Sequence, residues 1–272
     1  MKKEYCEIFN ACFPQFRMGP ELFSELVQTD KTGFIEQVEG DKIVGFAAVE
    51  DQYLRLICVE PGSRAAGIGR KLLAEAEACI KKNGFDKVVV GGSNSRLFIG
   101  AVSDSFGFFE KCGYLRTNQY EEMLMKLRDF SLEDCKLHGH DIAEYGWFDG
   151  SLEEIREAVA TVDESWVSLY KEDTKVFVGR VDGEIACFCM VEADARNYLT
   201  ESCGRVGMPG CVGTVPKYRN KGIALEMIAL ATQYLKEIGM DVSFIFYTGV
   251  APWYAKLGYK TFLTEVFCEK EI

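Results

Sequence analysis

Two turns of the same type, 155 positions apart, contain the residues best suited to bind an anion. The first covers residues 64–69 and the second covers residues 219–224; each begins with arginine and has glycine three residues later. Each leads directly into an apolar pattern with helical spacing, so its backbone N–H groups would lie at the positive end of a helix dipole. Glycine allows the backbone to approach a phosphate closely, and arginine adds a fixed charge. The pattern therefore predicts two phosphate-binding turns.

Two common classes of phosphate loop do not match the first turn. Gly62 and Gly67 have the spacing of a P-loop, but Ile68 and Gly69 follow where lysine and then serine or threonine are required. The dinucleotide fingerprint lacks its third glycine, because residues 70–72 are Arg-Lys-Leu. Neither ATP nor NAD is indicated. For either turn taken alone, the alternative interpretation is a plain glycine turn between a strand and a helix. The matched context of the two turns favours anion binding.

Three repeated blocks indicate which elements position these turns. Residues 34–50 and 176–192 have the pattern of β-hairpins around a Gly-Asp or Asp-Gly turn. After each Gly-turn, regularly spaced apolar residues predict a helix with one buried face, and a short apolar run predicts a buried strand. Residues 108–114 and 253–259 share an aromatic, Lys, Gly, Tyr pattern that predicts a short glycine-capped helix before a last strand.

The same order of elements therefore occurs twice, which predicts an α/β fold with a mixed sheet in each half. A segment rich in Asp, Ser, Glu, His and Gly interrupts the pattern near residues 128–140. We expect two domains of one fold, over residues 1–133 and 134–272.

Composition narrows the class of protein. Of the 272 residues, 48% are hydrophobic and 27% charged, with a mean hydropathy of −0.04, which is typical of a soluble protein. No apolar run could span a membrane, and the first residues lack the apolar core of a signal peptide, so a cytoplasmic protein is expected. Eleven cysteines without a Cys-x-x-Cys pair indicate neither a zinc site nor a disulfide framework, and no metal is expected.

Charge argues against polyanionic partners. The net charge is −11 and the isoelectric point about 4.9, so nucleic acids and anionic membranes would be repelled. Residues 134–272 hold 14 basic and 22 acidic residues, and thus −8 of this charge. Their acidity would concentrate a cationic amine.

The motifs resemble the acyl-CoA-binding core of the GNAT superfamily of N-acetyltransferases. The resemblance rests on Val-Glu-Pro-x-x-Arg-x-x-Gly-Ile-Gly over residues 59–69, the helix and strand that follow, and the aromatic-x-Lys-x-Gly-Tyr segment. It covers residues 30–127 and 174–268, and the tandem layout is similar to that of double-GNAT proteins of the mycothiol synthase type. The motifs are specific to the superfamily and do not identify the acceptor.

The resemblance implies acetyl-CoA as co-substrate and assigns its contacts in each half. In the first half, backbone groups of Ile57, Cys58 and Val59 would pair with the pantetheine arm. In the second half, Gly213, Thr214 and Val215 would do so. The pyrophosphate would lie on two further sets of residues, Arg64, Ala65, Ala66, Gly67, Ile68 and Gly69 in the first half and Arg219, Asn220, Lys221, Gly222, Ile223 and Ala224 in the second. Ala224 departs from the pattern, since a second glycine is usual there.

The same resemblance assigns a proton donor. Acetyl transfer needs an uncharged amine, a polarised carbonyl and a proton for the leaving thiolate. In GNAT enzymes the aromatic residue before Lys-x-Gly commonly supplies the proton; here it is Tyr254 in the second half and Phe109 in the first. Only Tyr254 has a hydroxyl, so we expect chemistry in residues 134–272. The alternative interpretation is that Tyr254 is a half-buried aromatic residue with a packing role only.

Other candidates have more ordinary interpretations. His138 and His140 lie in the expected linker, Glu192 and Glu201 are ordinarily exposed charges, and alternation places Cys187 and Cys189 on one strand face as core residues. The long segment 91–105 would either line the acceptor cleft of the first half or cover the domain junction.

The leading hypothesis is an N-acetyltransferase that acts on a primary amine of a small molecule by direct attack. The rival is a CoA-binding regulatory or scaffold protein whose catalysis has lapsed in one or both halves. A different acyl group is a third hypothesis. The residues do not choose the acceptor, the acyl group, the general base or the oligomeric state, and a homo-oligomer stays open.

Overall fold

The structure, a computed structural model, describes residues 1–92 and 96–272. The chain divides into two compact units. Unit 1 comprises Met1–Glu121, Arg196–Ser202 and Leu263–Ile272, and unit 2 comprises Glu122–Ala195 and Cys203–Phe262. These bounds are discontinuous in sequence, whereas the expected domains are continuous. The division into domains at residues 1–133 and 134–272 stays a prediction.

The helices and strands include the predicted order in both halves, together with elements that the sequence did not predict, such as those at residues 3–12, 20–27 and 152–160. In chain order they are α1 (Lys3–Cys12), α2 (Pro20–Val27), β1 (Gly33–Glu39), β2 (Lys42–Glu50), β3 (Tyr53–Val59), α3 (Ile68–Lys82), β4 (Lys87–Val90), β5 (Ala101–Val102), α4 (Phe106–Glu110), β6 (Leu115–Lys126), β7 (Glu144–Trp147), α5 (Leu152–Ala160), β8 (Val176–Val181), β9 (Glu184–Glu192), α6 (Thr200–Cys203), β10 (Val206–Thr214), α7 (Ile223–Glu237), β11 (Val242–Thr248), α8 (Ala251–Tyr254) and β12 (Lys260–Glu271).

Unit 1 has a mixed sheet. Strands β1, β2 and β3 form an antiparallel meander, β4 lies parallel to β3, and residues 269–271 of β12 pair antiparallel with β4. The short strand β5 also pairs with β12. The last strand of the chain therefore completes the sheet of the first unit.

The core of unit 1 confirms the predicted face of α3. Ile68, Leu72, Leu73, Ala76 and Ile80 are all buried, and they pack in one cluster with residues of β2, β3 and β4. Spacings of three and four place these side chains on one side of the helix. The helix begins at the Gly-turn, so burial of this face fixes where the turn lies relative to the end of β3.

Unit 2 repeats this arrangement. Strands β7 to β10 are antiparallel neighbours, and β11 lies parallel to β10. The predicted apolar face of α7 is confirmed, with Ile223, Met227, Ile228, Ala231 and Leu235 buried. The mixed α/β architecture predicted for each half is therefore present in both units. None of the described helices is long and apolar enough to cross a membrane.

Candidate functional site

A cleft opens in unit 1 where two parallel strands separate. Strands β3 and β4 pair only at Tyr53 with Val89 and Leu54 with Val90, and β3 then continues to Val59 without β4 beside it. The chain leaves β4 at Gly91, which has φ +103° and where a Cβ would collide with the backbone of Ile99. Only glycine fits this position without strain. The separation leaves backbone groups of β3 available to a ligand.

This cleft is a cavity of about 880 Å³. Its wall includes most of the first-half residues predicted to hold acyl-CoA, namely Ile57, Cys58, Val59, Arg64, Ala65, Gly67 and Gly69. Ala66 is exposed and Ile68 is buried in the core of unit 1; neither lines the cavity. The predicted strand and turn thus meet at one cavity, whose volume is within the range of ligand pockets.

The backbone of the Gly-turn in unit 1 has the conformation that an anion site needs. Gly67, the N-cap of α3, has φ +83° and ψ −2°, and nothing lies within 4 Å of a Cβ built on it. Ala65 is also left-handed, at φ +65°. Arg64 Nε donates to the Val59 carbonyl oxygen at 3.1 Å, which holds the start of the guanidinium beside the end of β3. The first N–H groups of α3 therefore lie next to an arginine at the cavity wall.

The turn in unit 2 has nearly the same backbone. Gly222 has φ +79° and ψ −9°, Asn220 has φ +62°, and Arg219 Nε donates to the Thr214 carbonyl oxygen at 3.2 Å. Strands β10 and β11 also separate, because they pair only at residues 206–207 with 242–243. The repeated sequence therefore produces the same turn twice.

The strand before that second turn differs from its counterpart. Strand β10 has an irregular register between Gly210 and Gly213, and Cys211 has φ +46°. The Tyr170 hydroxyl donates to the Cys211 carbonyl oxygen at 3.0 Å, and a Cβ at Gly213 would collide with the ring of Phe188. One carbonyl group near the predicted pantetheine position is thus already bonded within the protein. Thr214 and Val215 follow directly and lead into the turn.

The N-terminus of α7 is tied to the predicted linker. The backbone N–H of His140 donates to Glu226 Oε2 at 2.9 Å, and His140 Nδ1 lies 3.0 Å from Glu226 Oε1. Glu226 is buried in the first turn of α7, beside Ile223. Nothing here places His140 at a reacting group. Lys221 and Ala224 stay predictions as pyrophosphate contacts in this unit.

Tyr254, the predicted proton donor, lies in the core of unit 2. Its side chain is 5% exposed and packs with Trp253 and Tyr259. Burial raises the pKa of its hydroxyl, with a smaller contribution from Tyr259. Among the described residues, no hydrogen bond to that hydroxyl is present. A phenol whose pKa is raised holds its proton more firmly, so release to a thiolate would depend on the bound substrate.

The equivalent residue of unit 1, Phe109, lines the cavity together with Phe108. Phe109 is buried and makes an edge contact with Tyr114, whose hydroxyl donates to Glu77 Oε1 at 3.2 Å. The apolar cavity wall at Phe109 offers no proton. This agrees with the difference between the halves noted in the sequence.

The remaining candidate residues from the sequence take part in packing or in hydrogen bonds within the protein. Cys187 and Cys189 are fully buried in β9, and burial raises the pKa of both thiols. Within residues 1–92 and 96–272, no group of three or more His, Cys, Asp or Glu side chains could hold a metal ion. Glu201 accepts a hydrogen bond from the Gly19 backbone N–H at 2.6 Å.

Part of the long segment 91–105 lines the cavity of unit 1, and its role at an acceptor cleft stays a prediction. Ser93, Asn94 and Ser95 lie outside the described residues. Lining residues from this segment are Phe98, Gly100, Ala101, Val102, Asp104 and Ser105.

Several lining residues were missed in the sequence. Arg70 follows the Gly-turn within the first turn of α3 and adds its guanidinium to a wall that also includes Arg55 and Arg64. The signal in the sequence that could have identified Arg70 is its position directly after Gly69. Cys12, Phe13 and Gln15 also line the cavity from the end of α1 and the short helical turn after it. They lie more than 40 residues before the Gly-turn, and no local pattern connects them with it.

The comparisons with known proteins agree with this geometry. The sequence model for the acetyltransferase (GNAT) domain matches residues 1–123. No curated protein sequence matches the chain. A solved structure described as a GCN5-related glucosamine N-acetyltransferase region of a fungal multi-domain GH3 β-N-acetylglucosaminidase aligns with a TM-score of 0.78 at 20% identity. That alignment covers 97% of this chain and 36% of the fungal chain, so this chain spans about a third of that protein.

Two further structures match over nearly their whole lengths. A GCN5-related N-acetyltransferase from Sphaerobacter thermophilus has a TM-score of 0.69 at 17% identity, covering 98% of this chain and 91% of its own. A tandem GNAT protein from the clavulanic acid biosynthesis pathway has a TM-score of 0.64 at 14% identity, covering 98% and 94%. Residues 1–123 therefore match a GNAT acetyltransferase domain, and the chain has the fold of tandem GNAT proteins over its full length.

Proposed function

We propose that this protein is an N-acetyltransferase that binds acetyl-CoA in the cavity of unit 1 and acetylates a primary amine of a small molecule. One observation carries the proposal: the free end of β3, the Gly-turn and the aromatic residues of α4 all line one cavity. Backbone N–H groups at the turn, Arg64 and Arg70 suit a pyrophosphate. The open space over Gly67 leaves room for its close approach.

The residues of unit 1 would support direct attack. The separated edge of β3 presents backbone groups that can align a pantetheine amide and polarise a thioester carbonyl. Phe109 offers no proton, so the thiolate would leave without a side-chain acid; its conjugate acid has an ordinary pKa of about 8.5, which makes it a tolerable leaving group near neutral pH. The apolar cavity wall would favour the uncharged form of the attacking amine.

Unit 2 is the second candidate location. Gly222 and Arg219 reproduce the conformation and the internal hydrogen bond of the first turn, and Tyr254 supplies a hydroxyl where unit 1 has Phe109. In this version Tyr254 would protonate the leaving thiolate. Gly213, Thr214 and Val215 would pair with the pantetheine arm, and Arg219 to Ala224 would hold the pyrophosphate. Matching substitutions at the two turns distinguish the two units.

The binding experiment compares Arg64→Ala with Arg219→Ala by calorimetry. Each substitution removes the same internal hydrogen bond, to Val59 or Thr214, so local effects on the turn are matched. Loss of a charged hydrogen bond to phosphate should weaken acetyl-CoA binding by about ten- to a hundredfold. We expect this loss in Arg64→Ala. If only Arg219→Ala weakens binding, the site lies in unit 2; if the unaltered protein shows no binding heat, both assignments are wrong.

The activity experiment measures release of free thiol from acetyl-CoA with a panel of primary amines. The panel includes amino sugars, because the fungal structural relative is described as a glucosamine N-acetyltransferase, and polyamines, because residues 134–272 carry −8 of the net charge. It also includes amine-bearing antibiotics. If acetyl-CoA binds, but neither acetyl-CoA nor propionyl-CoA is turned over with any amine, the result would favour the rival function of a CoA-binding regulatory protein.

A further inference from the structure

Two thiols from separate elements lie together in the wall of the unit 1 cavity. Cys12 is the last residue of α1, and its Sγ lies 3.3 Å from the carbonyl oxygen of Val59 at the end of β3. Cys58 immediately precedes Val59 on that strand, and both cysteines line the cavity. Cys12 is half-buried and Cys58 is buried, so a small molecule in the cavity would reach Cys12 first.

The surroundings of the pair divide two roles between the thiols. Cys58 lies close enough to Cys12 for the two thiols to interact, and Arg64 of the Gly-turn lies near them in the same cavity wall. These two contacts lower the pKa of Cys12, whereas burial raises the pKa of Cys58. Thiolates rather than thiols are nucleophilic. Cys12 is therefore the attacking group of the pair, and Cys58 keeps its proton until Cys12 has reacted.

Among the described residues, Cys12 and Cys58 are the cysteines that line this cavity. Cys187, Cys189 and Cys268 are buried, and burial raises the pKa of each thiol. Cys112 is half-buried in unit 1 but does not line the cavity. It therefore serves as an internal reference.

We propose that Cys12 is a thiol-modification site inside the cavity, that it reacts with low-molecular-weight disulfides, and that Cys58 is its resolving thiol. The first step is attack of the Cys12 thiolate on a disulfide RS–SR; the Cys12 S–S bond forms, the RS–SR bond breaks, and RS⁻ leaves and takes up a proton. Cys58 then loses its proton and attacks the Cys12 sulfur, which releases the second RS⁻. In total, two protein thiols are oxidised to one disulfide, and RS–SR is reduced to two RSH.

The modification would regulate the proposed function, and this part of the proposal rests on that function. A mixed disulfide on Cys12 would place a substituent beside Val59, where the pantetheine arm is assigned. The Cys12–Cys58 disulfide would remove the thiolate that faces Arg64 and tie the end of α1 to β3. Bound acetyl-CoA should in turn shield Cys12.

The test treats the full-length protein with oxidised glutathione and maps cysteines by mass spectrometry. We expect a cross-linked pair of peptides containing Cys12 and Cys58, lighter by two hydrogen atoms than the reduced pair. Cys58→Ala should accumulate glutathione on Cys12, and Cys12→Ser should leave Cys58 reduced. Cys112→Ser should behave like the unaltered protein. Absence of both the cross-link and the Cys12 adduct would overturn the proposal, as would modification of Cys112 in preference to Cys12.

The link to acetyl-CoA is measured separately. Saturating acetyl-CoA should slow modification of Cys12 at least several-fold and leave Cys112 unaffected. Cross-linking without such protection supports the modification site and contradicts acetyl-CoA binding in this cavity. The two failures are thus distinguishable, because the cross-link is detected without any acyl-CoA.

Discussion

The Nζ atom of Lys270 lies 2.9 Å from Oε1 of Glu77, so an ion pair joins the last strand of the chain to helix α3 of unit 1. Both side chains are partly buried, and the Tyr114 hydroxyl shares the same carboxylate oxygen. Val266 and Cys268, on the same strand, are buried in the core of unit 1. The edge of β4 is thus covered by residues that follow the second Gly-turn by more than 40 positions.

This pairing predicts that residues 1–133 will not fold cooperatively alone. Without residues 263–272, β4 would have an unpaired edge and the core would lose Val266, whose burial contributes about 1.5 to 3 kcal/mol. Urea denaturation of the fragment and the full chain tests this expectation. Lys270→Ala in the full chain is the control, since loss of a partly exposed ion pair should lower the free energy of unfolding by less than about 1 kcal/mol. A sharp transition in the fragment would instead support the division at residue 133/134.

Gly67→Val should abolish acetyl-CoA binding in unit 1. A β-branched side chain at this left-handed position would strain the backbone and occupy the space above the turn. Gly84→Val provides the matched control: Gly84 also has a positive φ, +93°, with open space around it, but it follows the C-terminus of α3 away from the cavity. Both variants should lose comparable stability in thermal unfolding. Equal loss of affinity in both would mean that strain, and not pyrophosphate contact, explains the result.

Tyr254→Phe tests the assignment of a proton donor in unit 2. Loss of a general acid should lower turnover by on the order of 10²-fold with nearly unchanged acetyl-CoA affinity. Tyr259→Phe is the comparison, because the Tyr259 hydroxyl lies 2.7 Å from Thr232 Oγ1 and 2.7 Å from Ser243 Oγ and acts within the core. It should mainly lower stability. Full activity in Tyr254→Phe, together with no activity in Gly67→Val, would place the chemistry in unit 1.

The reactivity of Cys12 should change little with pH. The hydrogen bond from Cys58, followed by the contact with Arg64, lowers the pKa of Cys12 to about 6. Because the lowered pKa keeps the thiolate populated down to about pH 6, the rate of Cys12 alkylation by iodoacetamide should fall only about twofold from pH 8 to pH 6. A thiol with the ordinary pKa of about 8.5 slows on the order of a hundredfold over the same range. Arg64→Ala should steepen the profile. A hundredfold decline for Cys12 in the unaltered protein would contradict the lowered pKa.

Local sequence determined the two turns and the helices that follow them. The conformation at Gly67 and Gly222 depends on a glycine that can adopt positive φ, and the buried faces of α3 and α7 follow from apolar spacing within each helix. These are short-range relationships. They are therefore legible in the residue order, and they repeat in structure because they repeat in sequence.

Tertiary structure alone decided what surrounds each turn. Cys12 meets the carbonyl oxygen of Val59 across 47 positions, and β12 pairs with β4 across 180 positions or more. No local pattern encodes this packing and strand pairing. The sequence alone shows that Tyr254 has a hydroxyl and that Phe109 does not. The burial of Tyr254 in the core of unit 2 depends instead on side chains that are far away in the chain. Residue order specified the chemistry available at each turn, and long-range packing determined which groups line the cavity, because burial and proximity are properties of the folded chain.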